Sequence, residues 1–187
     1  MATKIYVACL ASYNAGKLYG KWIDANQSPE EINGEIFEML QASSERGAEE
    51  WAVHDYDGFG EISLSEWPDI ARVSKISSLI EDHEDAFSLW YCSQDAQNIE
   101  TEELEERFLE QWQGMHESKE AFADYLLDST GQLQEMPEFA RRYFNFEAYA
   151  RDLELSGDYS FVRANGQIYA FSRTWPSTQR ATLMLST

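Results

Sequence analysis

Acidic residues in this 187-residue chain arrive in two blocks, and within each block they alternate with apolar residues at helical spacing. Residues 24–69 carry 13 acids and one base, and residues 81–138 carry 17 acids and two bases. The segments around them (1–23, 70–80 and 139–187) are each slightly basic. A disordered acidic run has no need of Leu, Ile, Phe and Trp every third or fourth position. The pattern therefore fixes the acids to the outer faces of folded helices with apolar stripes beneath them. Hydrophobic residues at 43% and aromatic residues at 14% are enough for real cores. The totals of 34 acids and 14 bases give a formal net charge of −20. A chain that grips a phosphate backbone or an anionic membrane needs clustered Lys and Arg, so both functions are excluded.

Local signals divide the chain into three parts. Lys4–Leu10 reads as a strand with Ile5, Val7 and Cys9 on one face, and 17–23 as a second, with Leu18 and Trp22 as apolar anchors. Asn14 and Gly16 fall in the connection. Ser28, Pro29 and Glu31 form a helix start with a capping box, followed by an Ile32, Ile36, Met39, Leu40 stripe. Trp51–Tyr56 reads as a third strand ending in the Asp57-Gly58-Phe59-Gly60 turn, which closes an α+β unit at about residue 63. Residues 64–107 read as helical, with Ile70, Val73, Ile76 and Leu79 or Ile80 on one face and Phe87, Trp90 and Tyr91 in a second patch. Thr101 is expected to cap a helix carrying Leu104, Phe108 and Trp112 inward. Ser118 caps another through Leu127, with Phe122 and Leu126 inward and Gly131 as its stop. Pro137 opens a short helical segment, and 146–155 is a further helix. Asn165-Gly166 between 159–164 and 167–172 predicts a hairpin with a type I′ turn. The last dozen residues show no clear element. The fold class is α+β, with small antiparallel sheets in the terminal domains and a helical middle domain; the domains are 1–63, 64–107 and 108–187.

The search for chemistry is negative. His54, His83 and His116 have no metal-ligand spacing, and the His54-Asp55-x-Asp57 group reads as a polar strand end. Asp55, Asp57, Gly58 and Glu61 lack the ligand ladder of an EF-hand. Gly16 and Gly20 do not make a phosphate loop. Among 34 acids a pair at glycosidase spacing carries little information. Cys9 and Cys92 read as buried small hydrophobes rather than a disulfide. No enzyme, cofactor or metal is expected. The opening residues are broken by Ser12, Tyr13 and Asn14 before a signal-length apolar run develops, and no transmembrane run is present, which suggests a protein of the cytoplasm.

An ordered acidic surface has a specific use. Acids three or four residues apart on a helix repeat every ~4.5–6 Å. B-form DNA presents one charge per ~3.4 Å on each strand. Several acidic helices side by side therefore approach the charge pattern of a phosphate backbone. A groove lined with Lys and Arg would be drawn to such a surface. The competing readings are a solvated coat or salt adaptation, an acidic adaptor or chaperone for another basic protein, and a hydrolase built on clustered carboxylates.

A set of segments in order resembles one family. They are Ile5-Tyr6-Val7-Ala8, Tyr13-Asn14-x-Gly16-x-Leu18, Gly20-Lys21-Trp22-Ile23-Asp24 and Glu50 through Phe59 (EWAVHDYDGF). Then follow the Phe108-to-Gly114 stretch, Ala123-Asp124-Tyr125-Leu126-Leu127, Pro137, Tyr149-Ala150-Arg151-Asp152-Leu153 and Asp158-Tyr159. Over about residues 4–172 the chain resembles the ArdA antirestriction proteins. The resemblance implies a mimic of bent B-form DNA, encoded on mobile elements, that occupies the DNA-binding groove of type I restriction–modification enzymes at their core of specificity and modification subunits. It further implies three small domains in an elongated, curved row, and a homodimer formed through the C-terminal domains.

The acids then expected to meet the partner are Glu31, Glu35, Glu38, Glu45, Glu49, Glu50 and Asp57 in the first domain. From the middle come Glu81, Asp82, Glu84, Asp85, Glu102, Glu103, Glu105, Glu106 and Glu110, and from the last part Asp124 and Asp128. The family's antirestriction motif, a Leu-rich acidic stretch ending in glycine, falls on Leu126 to Gly131. Ser129 and Thr130 stand where more acidic residues are common in the family, so Leu126, Leu127 and Gly131 are assigned to packing near the dimer contact.

Overall fold

The computed structural model describes residues 2–173; the tail beyond Arg173, where the sequence offered no clear element, lies outside them. The chain divides into two compact units, Met1–Glu105 and Glu106–Thr187. Each holds one three-stranded antiparallel sheet.

In the first unit β1 (Lys4–Cys9) is central, between β2 (Gly20–Asp24) and β3 (Trp51–Asp57). Alternation puts Ile5, Val7 and Cys9 on the inner face, joined by Ile23 and Val53, and all five are buried. A register shift between Tyr6 and Val7 marks a bulge against β3. A short α1 (Leu10–Asn14) follows β1 where the sequence suggested only a connection; buried Ser12 in it bonds Ser43 at 3.1 Å. The second strand begins at Gly20 rather than Lys17. A Cβ on Gly20 would lie 2.3 Å from the Val7 carbonyl oxygen, so the close crossing there requires glycine.

The expected capping box opens α2 (Pro29–Gln41): Ser28 Oγ accepts from the Glu31 N–H at 3.2 Å and Glu31 accepts from the Ser28 N–H at 3.0 Å. Ile32, Ile36, Met39 and Leu40 are buried as the stripe requires, and α2 packs on β1 and β2.

The helical segment belongs to the same unit. Asp69 caps α3 (Ile70–His83) through the Ala71 N–H, and Ile70, Val73, Ile76, Leu79 and Ile80 are buried. Buried Thr3, just before β1, and Ser77 of α3 share a hydroxyl hydrogen bond, and Ser74 donates to the Gln27 carbonyl at 2.6 Å. Phe87 and Trp90 of α4 (Asp85–Ser93) are fully buried. Half-buried Arg72 ties the next loop down. It donates to the carbonyls of Ala96 at 2.8 Å and Ile99 at 2.7 Å, and to the Tyr91 hydroxyl at 2.9 Å. Thr101 does not cap a helix; it opens a 3₁₀ turn over Thr101–Glu103 that leads into α5 (Leu104–Gln111).

In the second unit the central strand is β6 (Gln167–Ser172), between β4 (Trp112–His116) and β5 (Tyr159–Ala164). Phe108 is buried on α5, but Trp112 is half-buried and starts a strand instead of extending the helix. Pairing with β6 outweighs helical spacing here, and the indole packs on Phe171 with ring centroids 5.2 Å apart. Ser118 caps α6 (Lys119–Ser129) as expected. Its buried face is Phe122, Ala123 and Leu127, so Leu126, expected inward, is only half-buried. Gly131, at φ +77°, ends the helix, and α7 (Gln132–Glu135) and α8 (Glu138–Arg141) follow. The helix α9 (Phe146–Leu155) packs against α6, and Lys119 and Glu154 join the two at 2.5 Å. The hairpin forms as expected, with Asn165 and Gly166 both at positive φ, as a type I′ turn needs.

Candidate partner-binding surface

The frames just described decide where each acid can point. On α2 the buried stripe turns Glu31 and Glu38 outward, while Glu35 is half-buried at the edge. Glu49, Glu50 and Asp57 are exposed around β3. Beyond the apolar face of α3, Glu81, Asp82, Glu84 and Asp85 are exposed at its end and at the start of α4. Glu102, Glu103, Glu105, Glu106 and Glu110 are exposed around α5, and Asp124 and Asp128 on α6. Glu45 is half-buried.

Exposure does not make these carboxylates equivalent. Three of them hold a lysine: Glu35 with Lys21, Glu45 with Lys17 and Glu105 with Lys75, each at 2.5 Å. The Lys21 hydrogen bond holds the Glu35 carboxyl below the usual carboxylate range, and Lys75 does the same for Glu105. Bonds from Ser28 lower that of Glu31. Glu81 accepts from Asn26, and Asp128 accepts from Gln134 at 2.7 Å. By contrast Glu38, Glu49, Glu50, Asp82, Glu84, Glu102, Glu106, Glu110 and Asp124 stand exposed outside the described hydrogen bonds and ion pairs. These present unbridged carboxylates to solvent and are the closest in character to phosphates.

The leucine–glycine stretch behaves differently. Leu127 is buried within its own unit, so it acts through packing there. Leu126 is half-buried, and Gly131 meets no neighbour at its Cβ position; its role is the left-handed turn. The second unit also exposes Phe139, Tyr143 and Leu155, each more than 70% accessible.

Two sequence expectations change here. Leu18 and Trp22 are not anchors: Leu18 is 75% exposed and Trp22 45%. In β2 the inward position is Ile23, and strict alternation sends its neighbour Trp22 to the other face. Cys92, expected to be buried, is exposed, whereas Cys9 is buried. The acid list omitted Asp24 and Asp55: the same alternation turns Asp24 outward, and the bulge at His54 turns Asp55 outward against the parity set by Val53. They lie on the outer sheet face with Trp22. Among the described residues no helix is long and apolar enough to cross a membrane.

The sequence model of the antirestriction protein (ArdA) family matches residues 5–166. No curated protein matches the chain. The match spans most of the length, and the chain belongs to the ArdA antirestriction family. Its function is that of the family: it is a DNA mimic without catalytic activity whose partner is a type I restriction–modification enzyme.

Proposed function

We propose that this ArdA-family chain blocks type I restriction stoichiometrically by laying its exposed carboxylates along the DNA-binding groove of the specificity and modification subunits. The observation that carries the reading is the segregation on each acidic element. On α2, α3 and α5 an apolar stripe is buried, with Phe37 and Leu109 left outside it, while the acids beside the stripe, apart from half-buried Glu35, face solvent. Such charges are held in place by a folded frame, so little conformational entropy is lost when a basic groove closes on them. The nine exposed, unbridged carboxylates carry most of the attraction, while Glu35, Glu45 and Glu105, already holding lysines, contribute less. Residues 1–63, 64–107 and 108–187 act as three successive stretches of the mimic. Two chains pair through the last of these, where Phe139, Tyr143 and Leu155 are exposed and Leu126 is half-buried. The protein works in the bacterial cytoplasm, where its target reads DNA.

The test is a titration of the purified protein into a type I methyltransferase core bound to labelled unmodified target DNA, at two salt concentrations. Displacement near one dimer per core, weaker at the higher salt, is the expected result. Failure to displace DNA at large excess would refute occupation of the groove.

A further inference from the structure

In the first sheet α2 packs on the inner face; on the outer face Ala8 and Ala52 are buried beside Gly20, and the other side chains form two rows. Register places Trp22, Tyr6 and Asp55 side by side across the three strands. The next row on that face is Asp24, Lys4 and Asp57. The Trp22 and Tyr6 rings touch, with centroids 5.5 Å apart and planes tilted by 54°. Trp22 is 45% exposed, and Lys4, Asp24, Asp55 and Asp57 are exposed too. An indole presented to water beside three carboxylates is not explained by charge imitation alone, since a phosphate backbone has no aromatic face.

The carboxylates are also oriented. Each uses its Oδ1 to accept a backbone N–H just ahead of it: Asn26 on Asp24, Tyr56 on Asp55 and Gly58 on Asp57, all at 2.9 Å. None of the described hydrogen bonds engages their Oδ2 atoms, which remain as acceptors on side chains whose direction is already set. Three carboxylates against the single ammonium of Lys4 leave the face net negative.

We propose that this face is a docking platform for arginine side chains of the partner's DNA-binding groove, with Trp22 and Tyr6 as the stacking surface and Asp24, Asp55 and Asp57 as the carboxylate acceptors. The inference rests on the mimic reading above and adds a contact type to it. A guanidinium is flat and weakly hydrated, stacks on aromatic faces and donates several N–H groups in a fixed fork; an ammonium does this poorly. Residues two apart on one strand lie about 7 Å from each other, so a guanidinium lying over the Trp22 indole reaches the Asp24 carboxylate. Neighbouring strands about 4.8 Å apart bring Asp55 closer still to Tyr6. Stacking, unlike ion pairing, is little weakened by salt.

The experiment compares Trp22→Ala and Trp22→Phe with a triple variant, Asp24→Asn with Asp55→Asn and Asp57→Asn, in the DNA-displacement titration at two salt concentrations. A broad set of amide substitutions at Glu38, Glu49, Glu50, Asp82 and Glu84 serves as reference. Trp22→Ala is expected to raise the half-displacing concentration about tenfold at both salt concentrations with the salt dependence unchanged. Trp22→Phe should fall between it and the parent. The triple variant should weaken displacement and flatten its salt dependence. If Trp22→Ala stays within about twofold of the parent while the broad set weakens displacement, the platform is wrong and the mimic reading stands. If the broad set and the triple variant both leave displacement unchanged, the mimic reading itself fails. Hydroxyl-radical footprinting of the unsubstituted protein guards against a folding artefact: Trp22 should be protected in the complex, and equal reactivity free and bound would overturn the proposal.

Discussion

The two units share a plan and differ in charge. Each is a three-stranded antiparallel sheet with helices packed on it. Met1–Glu105 carries 22 acids and 6 bases, a net of −16, whereas the remainder carries 12 acids and 8 bases, a net of −4. The difference lies chiefly in the number of acids, since both units pair some of their bases with their own acids. In the first unit Lys17, Lys21 and Lys75 are spent on acids of the same unit, and Arg72 binds carbonyls inside it. In the second, Lys119 holds Glu154 and Arg142 holds Glu138, while Arg151 and Arg163 face solvent. A small α+β frame thus accepts either surface, because the apolar set that holds it together is independent of the charges outside.

Core truncation should produce the largest effects and show whether the units melt separately. Trp90→Ala in the first unit and Phe122→Ala in the second each remove a fully buried ring, at a cost of about 3–5 kcal/mol. Hydrogen exchange should show each loss confined to its own unit. Equal loss of protection in both would break the division. Next in size is Arg72→Ala. It removes the side-chain donor to the Ile99 carbonyl and one of the two donors to the Ala96 carbonyl, which keeps the Ile99 N–H, and should destabilise the first unit by about 2 kcal/mol, read from a denaturant melt. Ser28→Ala removes one cap and should cost about 1 kcal/mol in the same melt.

The two units should also differ in their response to acid. Glu31, Glu35 and Glu105 of the first unit have carboxyls held below the ordinary range by Ser28, Lys21 and Lys75. Their contribution is therefore full above about pH 4.3 and lost as pH falls through the folded values. Burial pushes the Tyr159 hydroxyl up, with Tyr149 and Asp158 adding to it. That contribution to the second unit is present below about pH 10 and lost as pH rises further. Exchange protection measured across falling pH should fade first in the first unit, which holds three such carboxyls against Glu120 alone in the second. Smallest of all, a single Glu38→Gln change should shift half-inhibition by less than about twofold, because one exposed charge among many is screened and replaceable.

Local chemistry explains what was legible in the sequence. Ser28, Pro29 and Glu31 fix the start of α2, and Asn165-Gly166 fixes the hairpin, because each signal is complete within a few residues. The strand at Trp112 was hidden for the opposite reason. Its position four residues after Phe108 continues a helical rhythm, and the partner that makes it a strand lies more than fifty residues away in β6. The candidate surface divides along the same line. That the acids face water followed from the apolar stripes beside them. That Glu35, Glu45 and Glu105 each hold a lysine did not, since Lys21, Lys17 and Lys75 are brought to them only by tertiary packing. Trp22 was misread because a large aromatic suggests a core, while the parity set by Ile23 turns it outward.

The two faces of α2 have a consequence for how such an inhibitor can change over generations. Ile32, Ile36, Met39 and Leu40 are constrained by what they touch, whereas Glu38 stands exposed outside the described hydrogen bonds and ion pairs. Substitutions on the outer face can therefore accumulate without unfolding the helix. A lineage meeting a new host enzyme can redraw its pattern of negative charge one codon at a time while inheriting the same scaffold.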